Sequence, residues 1–195
     1  MIVLFLSGPP GAGKDEIAKI ITRELKQMPG IFRVAAPLRN AVVGLLGMGG
    51  RYEQDKDEPI PGLGAPTTPR ELMIKLMLYL VKPVLGSRWL AEQAALRVDT
   101  AGLPLSIVVD IRDGAEMEQI IEWLEAEDVK RVTPRHWRFV CWHVHRPGHD
   151  FSKDIRSYAR LDDVPVIHIH NDKDLAHLKV HVLDALDASG ISFDA

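Results

Sequence analysis

An apolar run with no polar alternation, Ile2 to Leu6, is followed at once by Gly8-Pro9-Pro10-Gly11-Ala12-Gly13-Lys14-Asp15. After it, about Asp15 to Gln27, Ile17, Ile20, Ile21 and Leu25 recur at helical spacing. A strand without alternation is covered on both faces, which is the habit of parallel sheets. Strand, glycine turn and amphipathic helix in that order commit the opening of the chain to a crossover unit.

The rest of the chain repeats the pattern. Pro29-Gly30 stops the first helix. Expected strands then run Ile31–Ala35, Leu105–Ile111, Arg138–His145 and Val166–His170. Expected helices run Leu38–Leu46, Arg70–Leu85, Trp89–Val98, Ala115–Glu127 and Leu175–Leu186. Alternation of this kind predicts an α/β fold with a five-stranded parallel sheet and helices on both faces. No repeat or linker divides the sequence, so a single domain over 1–195 is expected. Gly47 to Pro69, crowded with glycine, proline and charge, is a loop long enough to be either functional or mobile.

Composition excludes several classes. With 195 residues, 46% hydrophobic, 26% charged and net charge -3, the chain is neither disordered nor strongly basic. The global field therefore gives no footprint for nucleic acid. Cys141 is the one cysteine, which excludes an internal disulfide and suits a reducing compartment. Met1 to Leu6 is too short for a signal peptide, and no run reaches the roughly 18 apolar residues of a membrane span. A cytoplasmic protein is expected, with no membrane or nucleic-acid partner.

Ligands of doubly covered parallel sheets sit beyond the carboxyl ends of the strands. There, the glycines of the first loop let backbone N–H groups converge on phosphate oxygens. The helix after them adds its positive end, and Lys14 is placed to bridge the β- and γ-phosphates of a nucleotide. Asp15 stands where Ser or Thr is usual. It either approaches Mg²⁺, directly or through water, or is simply an acid favoured at a helix start. Asp110, at the tip of the third strand, either serves a metal or the attacking oxygen, or caps a turn. Arg112 pairs with Asp110 or reaches a phosphate. Arg39, Arg70, Arg88 and Arg146 all fall at element edges, where a planar guanidinium can bind phosphoryl oxygens bidentately.

Lys14-Asp15 within the Gly8 loop, Ala36-Pro37-Leu38-Arg39, Thr68-Pro69-Arg70-Glu71-Leu72, Arg88-Trp89, Val109-Asp110-Ile111-Arg112, Arg146-Pro147-Gly148 and Ile169-His170-Asn171-Asp172 occur in this order. Together they resemble the bacteriophage-type deoxynucleoside monophosphate kinases, over about residues 2 to 185. The resemblance implies a three-layer P-loop kinase fold and ATP-dependent, Mg²⁺-requiring phosphorylation of a deoxynucleoside monophosphate, in host cytoplasm if phage-encoded. It implies that Gly8, Gly11, Ala12, Gly13, Lys14, Asp15 and Glu16 hold the donor, with Arg146 and Asn171 on the nucleotide side. Arg39, Arg70 and Arg88 would clamp the acceptor phosphate, near Trp89, Asp110 and Arg112, with an acceptor-binding insertion at about 47–98. Asp15 and Asp110 would serve the metal; Lys14, Arg70, Arg88 and Asp110 would carry catalysis. Two positions depart from the family: Glu16 replaces a hydroxyl residue, and Arg156-Ser157-Tyr158 replaces a Pro-Ser-Glu-like sequence. The competing readings are another small-molecule kinase, phosphomevalonate-kinase-like, and a nucleotide-binding regulatory module without transfer activity.

Pro147 to Pro165, carrying Lys153, Arg156 and Arg160, is expected to be a lid that excludes water from the phosphates. His143/His145 and His168/His170 are spaced to face one side of two strands. They are expected to be neutral and hydrogen-bonded rather than zinc ligands. Leu72, Met73, Leu76, Met77, Tyr79 and Leu80 form a stripe suited to core or to a homodimer face.

Overall fold

The structure is a computed structural model that describes residues 1–62, 67–152 and 156–191. Its centre is β1 (Ile2–Ser7), which pairs in parallel with β3 (Leu105–Val109) on one side and β4 (Arg138–His145) on the other. β2 (Gly30–Arg33) pairs with β3, and β5 (Val166–His170) with β4. The order is β2-β3-β1-β4-β5, parallel throughout, as the alternation of strands and helices requires. This is the α/β architecture expected from the sequence.

Successive residues of β1 point to opposite faces, so the strand feeds two cores at once. Leu4 and Leu6 join Ile17, Ile20 and Ile21 of α1 (Lys14–Glu24) and Leu178, Val182 and Leu186 of α7 (Leu175–Ala188). Val3 and Phe5 join the other core. It gathers Leu38 of α2 (Ala36–Leu46), Leu90, Ala94 and Val98 of α5 (Trp89–Ala101), and Met117, Ile120 and Leu124 of α6 (Gly114–Val129). Three layers result.

The structure differs from the sequence expectation at several boundaries. β2 ends at Arg33 because Pro37, pre-set for a first helical turn, starts α2 early. β3 ends at Val109 because Asp110 turns into the left-handed region, with φ 67°. The helix expected over Arg70–Leu85 is α4 (Pro69–Leu76) followed by a π-helical stretch, Met77–Leu85. Pro83 lies inside that stretch. It has no N–H to give and its ring crowds the carbonyl of the preceding turn, so a wider turn relieves it. Of the apolar stripe, Met77 is buried whereas Tyr79 and Leu80 are exposed.

Between α2 and α4 the chain makes a 3₁₀ turn, Gly49–Arg51, and a single turn α3 (Tyr52–Asp55) whose Tyr52 is buried. Thr68 and Glu71 close a reciprocal capping box at the start of α4, which fixes where Arg70 leaves the helix. Among the described residues no helix is long and apolar enough to cross a membrane.

Ile120 has no solvent exposure and fills the core under β1 and β3. Ile120→Ala is expected to lower unfolding stability by about 2–5 kcal/mol, read as a lower urea midpoint at unchanged slope.

Candidate active site

Because all five strands run the same way, their carboxyl ends share one edge, and the glycine loop after β1 lies in the middle of it. Gly11 and Gly13 have φ of 78° and 104°, conformations that any side chain would strain. No side chain caps α1 at Gly13, where the Glu16 and Ile17 amides both bond the Gly13 carbonyl at 3.0 Å and the helix start is otherwise open to a ligand or to solvent. Lys14 Nζ donates to the Gly8 carbonyl at 2.6 Å and the Pro9 carbonyl at 3.0 Å, laying the ammonium along the loop. Glu16 points away along α1, pairing with Lys19 at 3.2 Å and Arg23 at 3.9 Å.

The loops after β4 and β5 lean on the glycines. Arg146 Nη1 donates to the Gly11 carbonyl at 2.9 Å, and Asn171 Nδ2 to the Ala12 carbonyl at 2.9 Å. A Cβ on Gly11 would lie 2.5 Å from the His149 ring, and one on Gly13 would lie 2.4 Å from Asn171 Nδ2. Both positions are closed to larger residues by packing as well as by φ. Arg146, Pro147 and His149, with His145, Tyr158, His170 and Asp172, line a cleft of about 320 Å³ beside the loop.

Asp15 and Asp110 come together through a residue that belongs to none of the sequence motifs. Arg33, the last residue of β2, donates from Nη2 to Asp15 Oδ1 at 2.5 Å and from Nη1 to Asp110 Oδ2 at 3.2 Å. Partial burial works to lower its pKa but is outweighed by Asp110 and then Asp15, so the net shift is upward and the charge is secure. Its carbonyl accepts from Arg97 Nη2 at 2.9 Å, which ties the end of β2 to α5. Arg33 falls inside the strand expected over Ile31–Ala35, and only the earlier end of β2 at Arg33 brings it to the edge where functional residues follow strand ends. Two carboxylates that converge on one cation, next to the glycine loop, have the hard oxygen donors that Mg²⁺ prefers.

The arginines separate into groups. Arg39 pairs with Glu53 at 3.3 Å and lies 5.1 Å from the Tyr52 ring centre. Arg70 grips Asp57 with two bonds, Nε to Oδ1 at 2.5 Å and Nη2 to Oδ2 at 3.1 Å. Burial raises the Tyr52 pKa and nearby Arg70 opposes it, while Arg33 and Arg39 both help lower that of Glu53, chiefly held down by Lys56. Arg39 and Arg70 thus lie on either side of the pairings around Tyr52 and Glu53, and Arg33 reaches Glu53 only electrostatically. Arg88 instead faces Glu122 of α6 at 2.6 Å and Glu92 at 3.7 Å, and Trp89 packs against the core. Arg112 is committed to the buried Glu116, Nη2 to Oε1 at 2.6 Å.

The far side of the segment 147–165 is strapped down. Ser157 N donates to the Arg112 carbonyl at 3.1 Å, and Ala159 N to Ser7 Oγ of β1 at 2.8 Å. The Ala159 carbonyl contacts His143 Nε2 at 2.7 Å and accepts from Cys141 Sγ at 3.4 Å. Burial pushes the Cys141 thiol up to about 12, so it is inert at neutral pH. Arg160 lines a second cavity, about 350 Å³, with His143, Asp162 and His168, and Arg156 is half-buried nearby in sequence. Lys153 lies outside the described residues.

His143 and His145 are register partners of His168 and His170. His145 Nε2 and His168 Nδ1 share a hydrogen bond at 2.9 Å, and His145 Nδ1 meets the Tyr158 hydroxyl at 2.8 Å. Burial lowers the His143 pKa, partly opposed by the Ala159 carbonyl and reinforced by His168 and Arg160.

No family model matches the chain, and no curated protein matches it in sequence. Solved structures align with nearly its whole length. An unliganded sugar kinase from Janibacter sp. HTCC2649 is 17% identical, with TM-score 0.48, covering 98% of this chain and 97% of that one. The hexameric APS kinase from Thiobacillus denitrificans is 14% identical, with TM-score 0.40, covering 97% of this chain and 29% of that one.

A histidine held neutral by the fold disfavours protonation that the unfolded chain accepts freely. Stability is therefore expected to be lost as pH falls below about 6.5, toward the lower folded pKa of His143. Denaturant melts between pH 7.5 and 5 should show that slope, and His143→Gln should make it shallower.

Proposed function

We propose that this chain is an ATP-dependent kinase that phosphorylates a deoxynucleoside 5′-monophosphate. The observation that carries the reading is the uncapped start of α1 with Lys14 laid along its glycine loop, on the same edge as the arginines around Tyr52. Main-chain amides and one ammonium suit a polyphosphate tail. The cleft beside His145, Tyr158 and His170 offers rings on which the donor's base can stack, with Arg146 at its rim.

In the reaction, an acceptor phosphate oxygen attacks the γ-phosphorus of ATP. The bond from that phosphorus to the β–γ bridging oxygen breaks, and its electron pair leaves with ADP. Little covalent work falls to the protein, so catalysis is positioning and charge stabilisation. Lys14 holds the oxygens where negative charge gathers. Arg39 and Arg70 stand on the acceptor side, and the two-bond grip of Arg70 on a carboxylate is the geometry that a phosphate accepts equally well. Asp15 and Asp110 would hold Mg²⁺, which when bound neutralises charge on the transferred group. The ties of Ser157 and Ala159 to Arg112 and Ser7 support a role for this segment in excluding water, a competing acceptor.

Acceptor class follows from the resemblance of the ordered motifs together with this cationic acceptor side. ADP release measured over deoxynucleoside monophosphates, nucleoside monophosphates and mevalonate phosphate tests it directly. Highest kcat/KM for a deoxynucleotide is expected; highest kcat/KM for mevalonate phosphate would assign the chain to a different kinase class. ATP binding without product from any acceptor would make it a regulatory module. Lys14→Ala is expected to fall to near background, and Arg70→Ala to lose about 10²-fold or more in kcat/KM.

A further inference from the structure

We infer that Arg33 is a resident counter-cation that competes with a divalent metal for Asp15 and Asp110. This rests on the kinase reading above and adds a residue that neither the ordered motifs nor the phosphate loop would assign. The geometry is specific. One guanidinium gives Nη2 to Asp15 and Nη1 to Asp110, so it stands between the two carboxylates rather than beside one of them. That is the position from which a metal would draw on both.

The frame around it is fixed. Arg33 is in register with Val109, the residue before Asp110, and its carbonyl is held by Arg97. Asp110 leaves β3 at φ 67°, a conformation costly for a residue with a side chain, and that turn belongs to the frame that presents its carboxylate to Arg33. The backbone therefore stays, and what can move is the long Arg33 side chain. A third carboxylate is within its electrostatic reach: Arg33 helps to lower the pKa of Glu53, where Arg39 and Lys56 already gather. A divalent ion that takes Asp15 and Asp110 thus releases a guanidinium beside the acceptor-side arginines. Metal arrival and completion of the acceptor clamp become one event.

Two carboxylates facing each other without a cation repel, so Arg33 also keeps them from splaying. Removing the guanidinium leaves a cation-hungry pair. The metal should then bind more tightly, the opposite of what loss of a merely structural residue would do.

The test is titration of the full-length protein with Mn²⁺ alone, by calorimetry and by the free Mn²⁺ electron paramagnetic resonance signal, with no nucleotide present. Arg33→Gln is expected to bind Mn²⁺ about tenfold or more tightly than the natural chain, and Arg33→Lys, which keeps one charge without the fork, to fall between. Asp15→Asn/Asp110→Asn in the Arg33→Gln background should abolish the gain. Unchanged or weaker Mn²⁺ binding by Arg33→Gln with intact circular dichroism would overturn the inference. If that variant does not fold, Arg33→Lys decides: tighter binding than the natural chain supports the competition, and equal binding ends it. Because no nucleotide enters, these results stand apart from a Mg²⁺–ATP titration, whose silence would instead remove the kinase reading.

Discussion

β1 has a parallel partner on each side, and that pairing organises everything built on the sheet edge. A strand bonded on both flanks cannot shift register without breaking two ladders and moving its side chains to the wrong faces. Val3 and Phe5 are thereby locked into one core, and Leu4 and Leu6 into the other. The glycine loop inherits its position from this strand. It is presented at the centre of an edge to which all five strands bring their carboxyl ends.

Around that centre, each neighbouring strand contributes one kind of group. β2 ends in Arg33, β3 is followed by Asp110, and β4 and β5 are followed by Arg146 and Asn171, which grip the loop from the other side. Gly8, Gly11 and Gly13 permit this closeness. A methyl group at any of them would run into Val144, His149 or Asn171 respectively. The motif glycines therefore admit neighbouring elements, and backbone freedom alone would not explain all three.

Charge is arranged in the same economical manner. Most of the arginines described on this edge are already engaged with a carboxylate rather than left as bare cations. Arg70 with Asp57 and Arg33 with Asp15 and Asp110 are the clearest cases. Arg112 differs. Its partner Glu116 is buried, and breaking that pair would strand a charge away from water. Its role is to hold the start of α6 to the turn after β3, through Glu116, which also accepts from the Arg112 amide.

The sequence by itself determined the strand–loop–helix opening, the parallel class of the sheet and the order of the elements. Those depend on local periodicity and on glycine and proline chemistry, which any short window contains. Element ends were legible to within a few residues, even where one residue acted against its window, as Asp110 does in ending β3 and Pro83 in widening the turns before Leu85. Only the tertiary structure decided which charged groups meet. Arg33 is 18 residues from Asp15 and 77 from Asp110, and Ala159 is 152 from Ser7. Separations of that kind leave no periodic trace, because the contacts are set by where crossovers return the chain. The same reason divides the arginines: Arg39 and Arg70 were brought to one place around Tyr52, while Arg88, equally suggestive at its element edge, was turned toward α6.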